Sequence, residues 1–248
     1  MTGTNNSSTA NTDAGSTDTD AGGTGSGRAR GGRADRTPIS PEQVRIVPAN
    51  EASWEDLSAV FGTADARRCQ CQCQCQWFKV AGWLWHNSTQ EGRTASLRSQ
   101  TACGVPDAKA TSGLVAYVDG DPAGWVAVEP RVAYPKLRTS RVPWSGRDED
   151  KDDDGVWAVT CFVVRRPYRG RGLSYALARA TVDFARERGA RALEGYPMIT
   201  QPGKEITWGE LFVGARQVFE EAGFTEISHP TPRRVVMRID FDRESAGR

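Results

Sequence analysis

One stretch constrains the architecture of this chain more than any other. Residues 157–164 form a β-rich run without a breaker, followed by Arg165-Arg166-Pro167-Tyr168-Arg169-Gly170-Arg171-Gly172 and then a segment with helical spacing. Leu173, Leu177, Ala180 and Phe184 recur at steps of four, three and four, which places them on one helix face. Gly189 is suited to end the helix in a left-handed cap, and residues 192–196 return as a strand ahead of Pro197. Strands joined by a crossover helix run parallel, and the helix must bury its apolar face on the sheet they share.

The rest of the chain builds outward from that unit. Residues 44–47 predict a short strand ended by Pro48, and Ser53 predicts an N-cap answered by Asp56 and stopped at Gly62. The aromatic stretch 77–85 and residues 93–103 predict two further helices. Residues 114–118 and 125–129 flank Asp119-Gly120-Asp121-Pro122, the turn chemistry of an antiparallel hairpin. Phe212, Ala215, Phe219 and Ala222 predict another one-faced helix capped by Gly223, and residues 233–241 a closing strand. The fold class expected is α+β, a mixed sheet with helices packed on it.

Composition bounds the rest. From Met1 to Arg36 the only apolar residues are Met1 and five alanines, so residues 1–38 read as a disordered Thr/Gly/Ser/Asp-rich tail and 39–248 as one domain. The net charge is +1, with 32 Lys and Arg against 31 Asp and Glu, which gives no electrostatic footprint for nucleic acid or a membrane surface. No apolar run approaches the roughly 18 residues of a membrane span, and no apolar secretion segment opens the chain. A soluble cytoplasmic protein is expected.

Gly170 and Gly172 at a strand-to-helix turn let backbone N–H groups point into one concavity at the positive end of a helix, among arginines. Such a site suits a pyrophosphate. A G-x-G-x-x-G run and a Gly-Lys-Ser/Thr ending are both missing, so neither a dinucleotide fold nor a P-loop fits.

With these residues the chain resembles the GNAT superfamily of N-acetyltransferases, whose loop reads Q/R-x-x-G-x-G/A. Arg169-Gly170-Arg171-Gly172-Leu173-Ser174 matches it except at Ser174, and the order of elements agrees over roughly residues 42–241. The chain looks most like bacterial members with a Cys-x-Cys-Gln-Trp-like stretch and a Pro-Ala/Val-Gly-Trp hairpin. The resemblance implies a splayed sheet with helices on both faces, and direct acetyl transfer from acetyl-CoA, as cosubstrate, to a primary amine of a small molecule or peptide. It places the pyrophosphate on the amides of Arg171, Gly172, Leu173 and Ser174, with Arg169 and Gly170 completing the loop. The pantetheine arm would lie along Phe162, Val163 and Val164. No metal is implied, and a homodimer stays open.

Acetyl transfer needs a base for the amine and an acid for the leaving thiolate. The family's frequent acid, a tyrosine in the last helix, is Phe219 here, and a position where some members carry a base glutamate is Ala158. Glu194, in an apolar strand with little neighbouring charge, is the first candidate base, ahead of Glu129 beside Pro130. Tyr196 is a candidate acid, or a buried tyrosine with a satisfied hydroxyl. The absence of this acid and base keeps a second function in view, a non-catalytic acyl-CoA binding or sensing module. A third, a cysteine-based metal or redox protein, rests on Cys69-Gln70-Cys71-Gln72-Cys73-Gln74-Cys75-Gln76. Its even spacing, about 6.6 Å between thiols if extended, does not suit one tetrahedral ion and reads as tandem duplication. The long connections 130–155 and 198–210 would flank the acceptor, the first with an acidic run at 148–154 able to attract a cationic amine.

Overall fold

The computed structural model describes residues 37–62, 74–200 and 208–241. In chain order these form β1 (Val44–Pro48), α1 (Trp54–Phe61), α2 (Gly82–Trp85), α3 (Gln90–Thr101), β2 (Leu114–Val118), β3 (Asp121–Pro130), α4 (Pro135–Thr139), α5 (Arg141–Trp144), β4 (Val156–Val164), α6 (Leu173–Glu187), β5 (Ala192–Gly195), α7 (Trp208–Leu211), α8 (Arg216–Glu221), β6 (Thr225–Thr231) and β7 (Arg234–Asp240). The strands make one mixed seven-stranded sheet in the order β1-β2-β3-β4-β5-β7-β6. Among the described strands only β4 and β5 pair in parallel, as the crossover through α6 requires.

That parallel pairing is short. Val156 to Val159 pair with Ala192 to Gly195, after which β3 is the one strand that pairs with β4 as far as Val164. The sheet therefore opens along the second half of β4. Helices cover both faces. On one, Leu173, Leu177, Ala178 and Phe184 of α6 pack on Val126, Val128, Val159 and Leu193. On the other, Leu57, Val60 and Phe61 of α1 pack on Val115, Trp125, Ala127 and Cys161, and a smaller cluster joins Tyr134, Leu137, Ala158, Tyr196 and Val236.

Local chemistry accounts for several boundaries. The Ser53 hydroxyl accepts the Asp56 N–H at 3.0 Å and starts α1. Asp119 and Gly120 both take positive φ, 51° and 88°, matching the twist of a tight hairpin. Three expectations are corrected. The helix expected at 77–85 shrinks to α2, because Ala81 is extended and caps a new start at Gly82. The one-faced helix expected from Phe212 to Ala222 begins only at Arg216, because Gly214 turns the chain at φ 86° and Ala215 is extended. The connection 130–155 carries α4 and α5, which bury Leu137 and Pro143. Residues 1–36 and the cysteines at 69, 71 and 73 lie outside the described residues. Among the described residues no helix is long and apolar enough to cross a membrane.

Phe219 packs edge-on against Phe162 and Phe224 and covers Gly195 so closely that a Cβ there would come within 2.1 Å of its ring. Overpacking of this kind costs about 1–3 kcal/mol, so Gly195→Ala should lower unfolding stability by that amount in a denaturant titration.

Candidate active site at the opening of the sheet

After β4 the chain makes a single 3-10 turn, Arg166–Tyr168, and reaches Gly170 and Gly172 at φ 71° and 94°. A Cβ on either would meet nothing within 4 Å, so backbone conformation, not crowding, calls for glycine here. Two arginines brace the turn. Arg169 Nε donates to the Val164 carbonyl at 2.7 Å, and Arg171 Nε donates to the Thr37 carbonyl at 2.8 Å. The Arg171 carbonyl also accepts from the Ile39 N–H at 2.9 Å. The first turn of α6 starts directly behind Gly172, where helical N–H groups have no intrahelical partner.

The turn opens on an apolar cleft of about 160 Å³. Of the residues expected at a cofactor site, Phe162, Val163, Val164, Arg169, Gly170, Leu173 and Ser174 line it, whereas Arg171 and Gly172 shape the turn from outside. Its far wall comes from 211–218, not anticipated as a wall because the helical pattern ran straight through Gly214. Phe212 enters the opening of the sheet, where its carbonyl accepts the Phe162 N–H at 2.6 Å. Gly214 accepts from the Met198 N–H at 3.0 Å, tying the segment to the chain beyond β5. Phe212 also borders a second cavity of about 370 Å³, which is shared with α4, α5 and Tyr196.

On the face away from α6, Glu129, Ala158, Glu194 and Arg238 stand side by side across β3, β4, β5 and β7. Glu194 is fully buried, and the expectation that it lacks charge compensation is corrected. Its Oε1 accepts from Arg147 at 2.5 Å and Arg238 at 3.0 Å; its Oε2 accepts from Arg131 at 3.2 Å and the Tyr196 hydroxyl at 2.9 Å. Both oxygens are committed. Burial first, and then the Glu194 charge, push the Tyr196 hydroxyl well above the usual tyrosine range, and its proton points at Glu194. Glu129 is different. Burial raises its carboxyl, opposed by the ammonium of Lys79, its ion-pair partner. Beside it lies the fully buried Tyr134, whose hydroxyl is raised far above the usual range by burial and then by the Glu129 charge.

Lys79, Arg131, Tyr134 and Arg147 carried no local signal of these roles, since each meets its partner only in the folded chain. Cys161 lies in the core, and Cys75 accepts a hydrogen bond from Trp125 Nε1 at 2.8 Å. Among the described residues no group of three or more His, Cys, Asp or Glu is placed to hold a metal ion.

Removing one partner from a buried ion cluster leaves the others uncompensated, at a cost of about 3–5 kcal/mol. Glu194→Ala should destabilise the fold by that much in a denaturant titration. Unchanged stability would show that the three guanidinium groups do not depend on this carboxylate.

Comparison with known proteins follows the same outline. Residues 77–196, from ahead of α2 to just past β5, match the model of the acetyltransferase (GNAT) family and include the whole glycine turn. A curated protein named ribose 1,5-bisphosphate phosphokinase PhnN, from Methylobacterium radiotolerans, is 28% identical over 116 residues. That alignment covers 46% of this chain and spans only 58% of the length of that relative. Among solved structures, a GCN5-related N-acetyltransferase from Kribbella flavida is similar with 18% identity and a TM-score of 0.47, covering 82% of this chain and all of that one. YncA from Salmonella typhimurium, solved with acetyl-CoA, is similar with 15% identity and a TM-score of 0.46, covering 82% of this chain and 97% of that one. The family match thus runs over β2 to β5, the crossover helix and the glycine turn, and marks residues 77–196 as a GNAT acetyltransferase domain.

Proposed function

We propose that this protein transfers an acetyl group from acetyl-CoA directly to a primary amine of a small molecule or peptide. The observation that carries this reading is the positive-φ turn at Gly170 and Gly172, which heads α6 and opens on the cleft along Phe162, Val163 and Val164. The pyrophosphate would rest on the N–H groups from Arg171 to Ser174, and the pantetheine arm along β4. The thioester carbonyl would take the Phe162 N–H that the Phe212 carbonyl now holds, so the segment at 211–214 must yield. The same N–H then stabilises the oxyanion as the amine attacks. A C–N bond forms, the C–S bond breaks, the amine loses a proton and the departing thiolate gains one.

Glu129 is the better base. Its carboxyl lies above the ordinary range through burial, so it releases its proton closer to neutral pH, whereas both oxygens of Glu194 are spent on arginines. Tyr134, buried on the same face beside Glu129, is a proton donor in place of the tyrosine that Phe219 replaces. Glu194 and Tyr196 then position the site without exchanging protons with substrate. A binding or sensing module without turnover is the second reading, favoured by Phe219 and by the contact between Phe162 and Phe212. Release of free CoA thiol in the presence of amines separates the two. The cytoplasm and a soluble state are part of this proposal.

The cofactor end is tested by Gly172→Asp. The left-handed backbone strains any side chain here, aspartate less than most, and no neighbouring atom lies within 4 Å of the new Cβ, so the fold should persist at reduced stability, checked by circular dichroism. As an N-cap its carboxylate would take the first helical N–H groups for itself. Losing charge-assisted hydrogen bonds should weaken acetyl-CoA binding roughly 10- to 100-fold by calorimetry.

The base assignment is tested by pH. Protonated Glu129 accepts no proton, so kcat/KM should rise with pH through a value above the ordinary glutamate range. Glu129→Gln should abolish that limb and lower kcat by about 10²–10⁴-fold, leaving acetyl-CoA affinity unchanged. An unaltered profile would move the base to water.

A further inference from the structure

The second cavity, on the acceptor side of Phe212, has a chemistry of its own. Its walls include the aromatic side chains of Trp77, Phe78, Tyr196 and Phe212. Its cations are Arg234 and Lys136, the latter with its ammonium 3.0 Å from the centre of the Trp77 ring. Arg234 is built in: its Nη2 donates to the Tyr196 carbonyl at 2.7 Å, and its Nε is buried with no hydrogen-bond partner. A guanidinium anchored on one side with a donor left over is prepared for a planar anion.

Three carboxylates of the acidic run expected to draw in a cationic amine are taken up in ion pairs. Glu149 pairs with Arg147 at 2.9 Å and Arg238 at 3.0 Å, Asp152 with Arg138 at 2.6 Å, and Asp153 with Arg191. None of these carboxylates lines the cavity. The one acid that does, Glu210, pairs with Arg233 at 3.0 Å. The cavity thus presents positive charge and aromatic surface together. At about 370 Å³ it is of small-ligand size, near the lower end of the roughly 300–1,000 Å³ usual for such sites.

We infer that the acceptor is an amine that also carries a carboxylate and an aromatic or large apolar side chain, an amino acid, with its carboxylate held by Arg234. This rests on the acetyl-transfer reading and narrows it: the anion lies at Arg234, the side chain against the aromatic wall, and the amine toward Phe212 and the cleft beyond.

The test compares L-tryptophan with L-tryptophanamide, which keeps the amine and the ring and loses the negative charge. Both are titrated into the full chain in the presence of coenzyme A. The acid should bind at least about tenfold more tightly, the worth of one charge-assisted pair. Arg234→Met should erase the difference and Arg234→Lys keep part of it, with circular dichroism confirming that each variant folds. Equal binding of acid and amide, binding of neither, or tighter binding of spermidine overturns the inference on the wild-type protein alone. Thiol release is followed separately. Acid-selective binding without release would end the transfer reading and leave an amino-acid site. Release with amides preferred would keep the transfer and end this acceptor class.

Discussion

A single buried carboxylate organises the half of this molecule that holds the second cavity. Glu194 accepts from three guanidinium groups and one phenol, drawn from the end of β3, the connection at 130–155, β7 and the chain just after β5. Taking one carboxylate and three arginines out of water is expensive, and the cluster is tolerable only because Glu149 and Asp240 add negative charge at its rim. In exchange the connection is fixed. Arg131 and Arg147 bracket α4 and α5, so the helices that roof the second cavity are held against the sheet by charge as well as by Leu137 and Pro143. Without that anchor the cavity has no far wall.

The other half depends on backbone geometry. Two glycines at positive φ turn β4 into α6, and the short pairing of β4 with β5 leaves the end of β4 open to an extended ligand. The cleft at the glycine turn and the second cavity both take part of their walls from the segment at 210–214, and Phe212 borders both. In the proposed reaction the two are joined at the point that Phe212 occupies.

Much of the cofactor half was legible in the sequence because its determinants are local. A breaker-free strand, a glycine pair, a four-three-four apolar spacing and a glycine stop all lie within one crossover, and α6 formed at Leu173–Glu187. The hairpin at Asp119-Gly120 and the Ser53 cap were legible for the same reason. The acceptor half was not. Glu194 meets Arg131 63 residues away and Arg147 47 residues away, so its strand neighbours alone suggested an uncompensated acid. Phe212 was misplaced by a different cause: apolar spacing suggested a helix through a glycine whose left-handed backbone ended it.

The Phe212 contact has a consequence for the protein as a polymer among other polymers. A sheet that opens in its middle carries an inner edge, and an unpaired strand edge is a template for any extended chain, including another copy of this one. The cleft proposed to take pantetheine along β4 shares that hazard. By handing the Phe162 N–H a carbonyl from its own chain, the molecule blunts the edge when no ligand is there to cover it. The same hydrogen bond that the proposed thioester would replace is thus also a safeguard against aggregation.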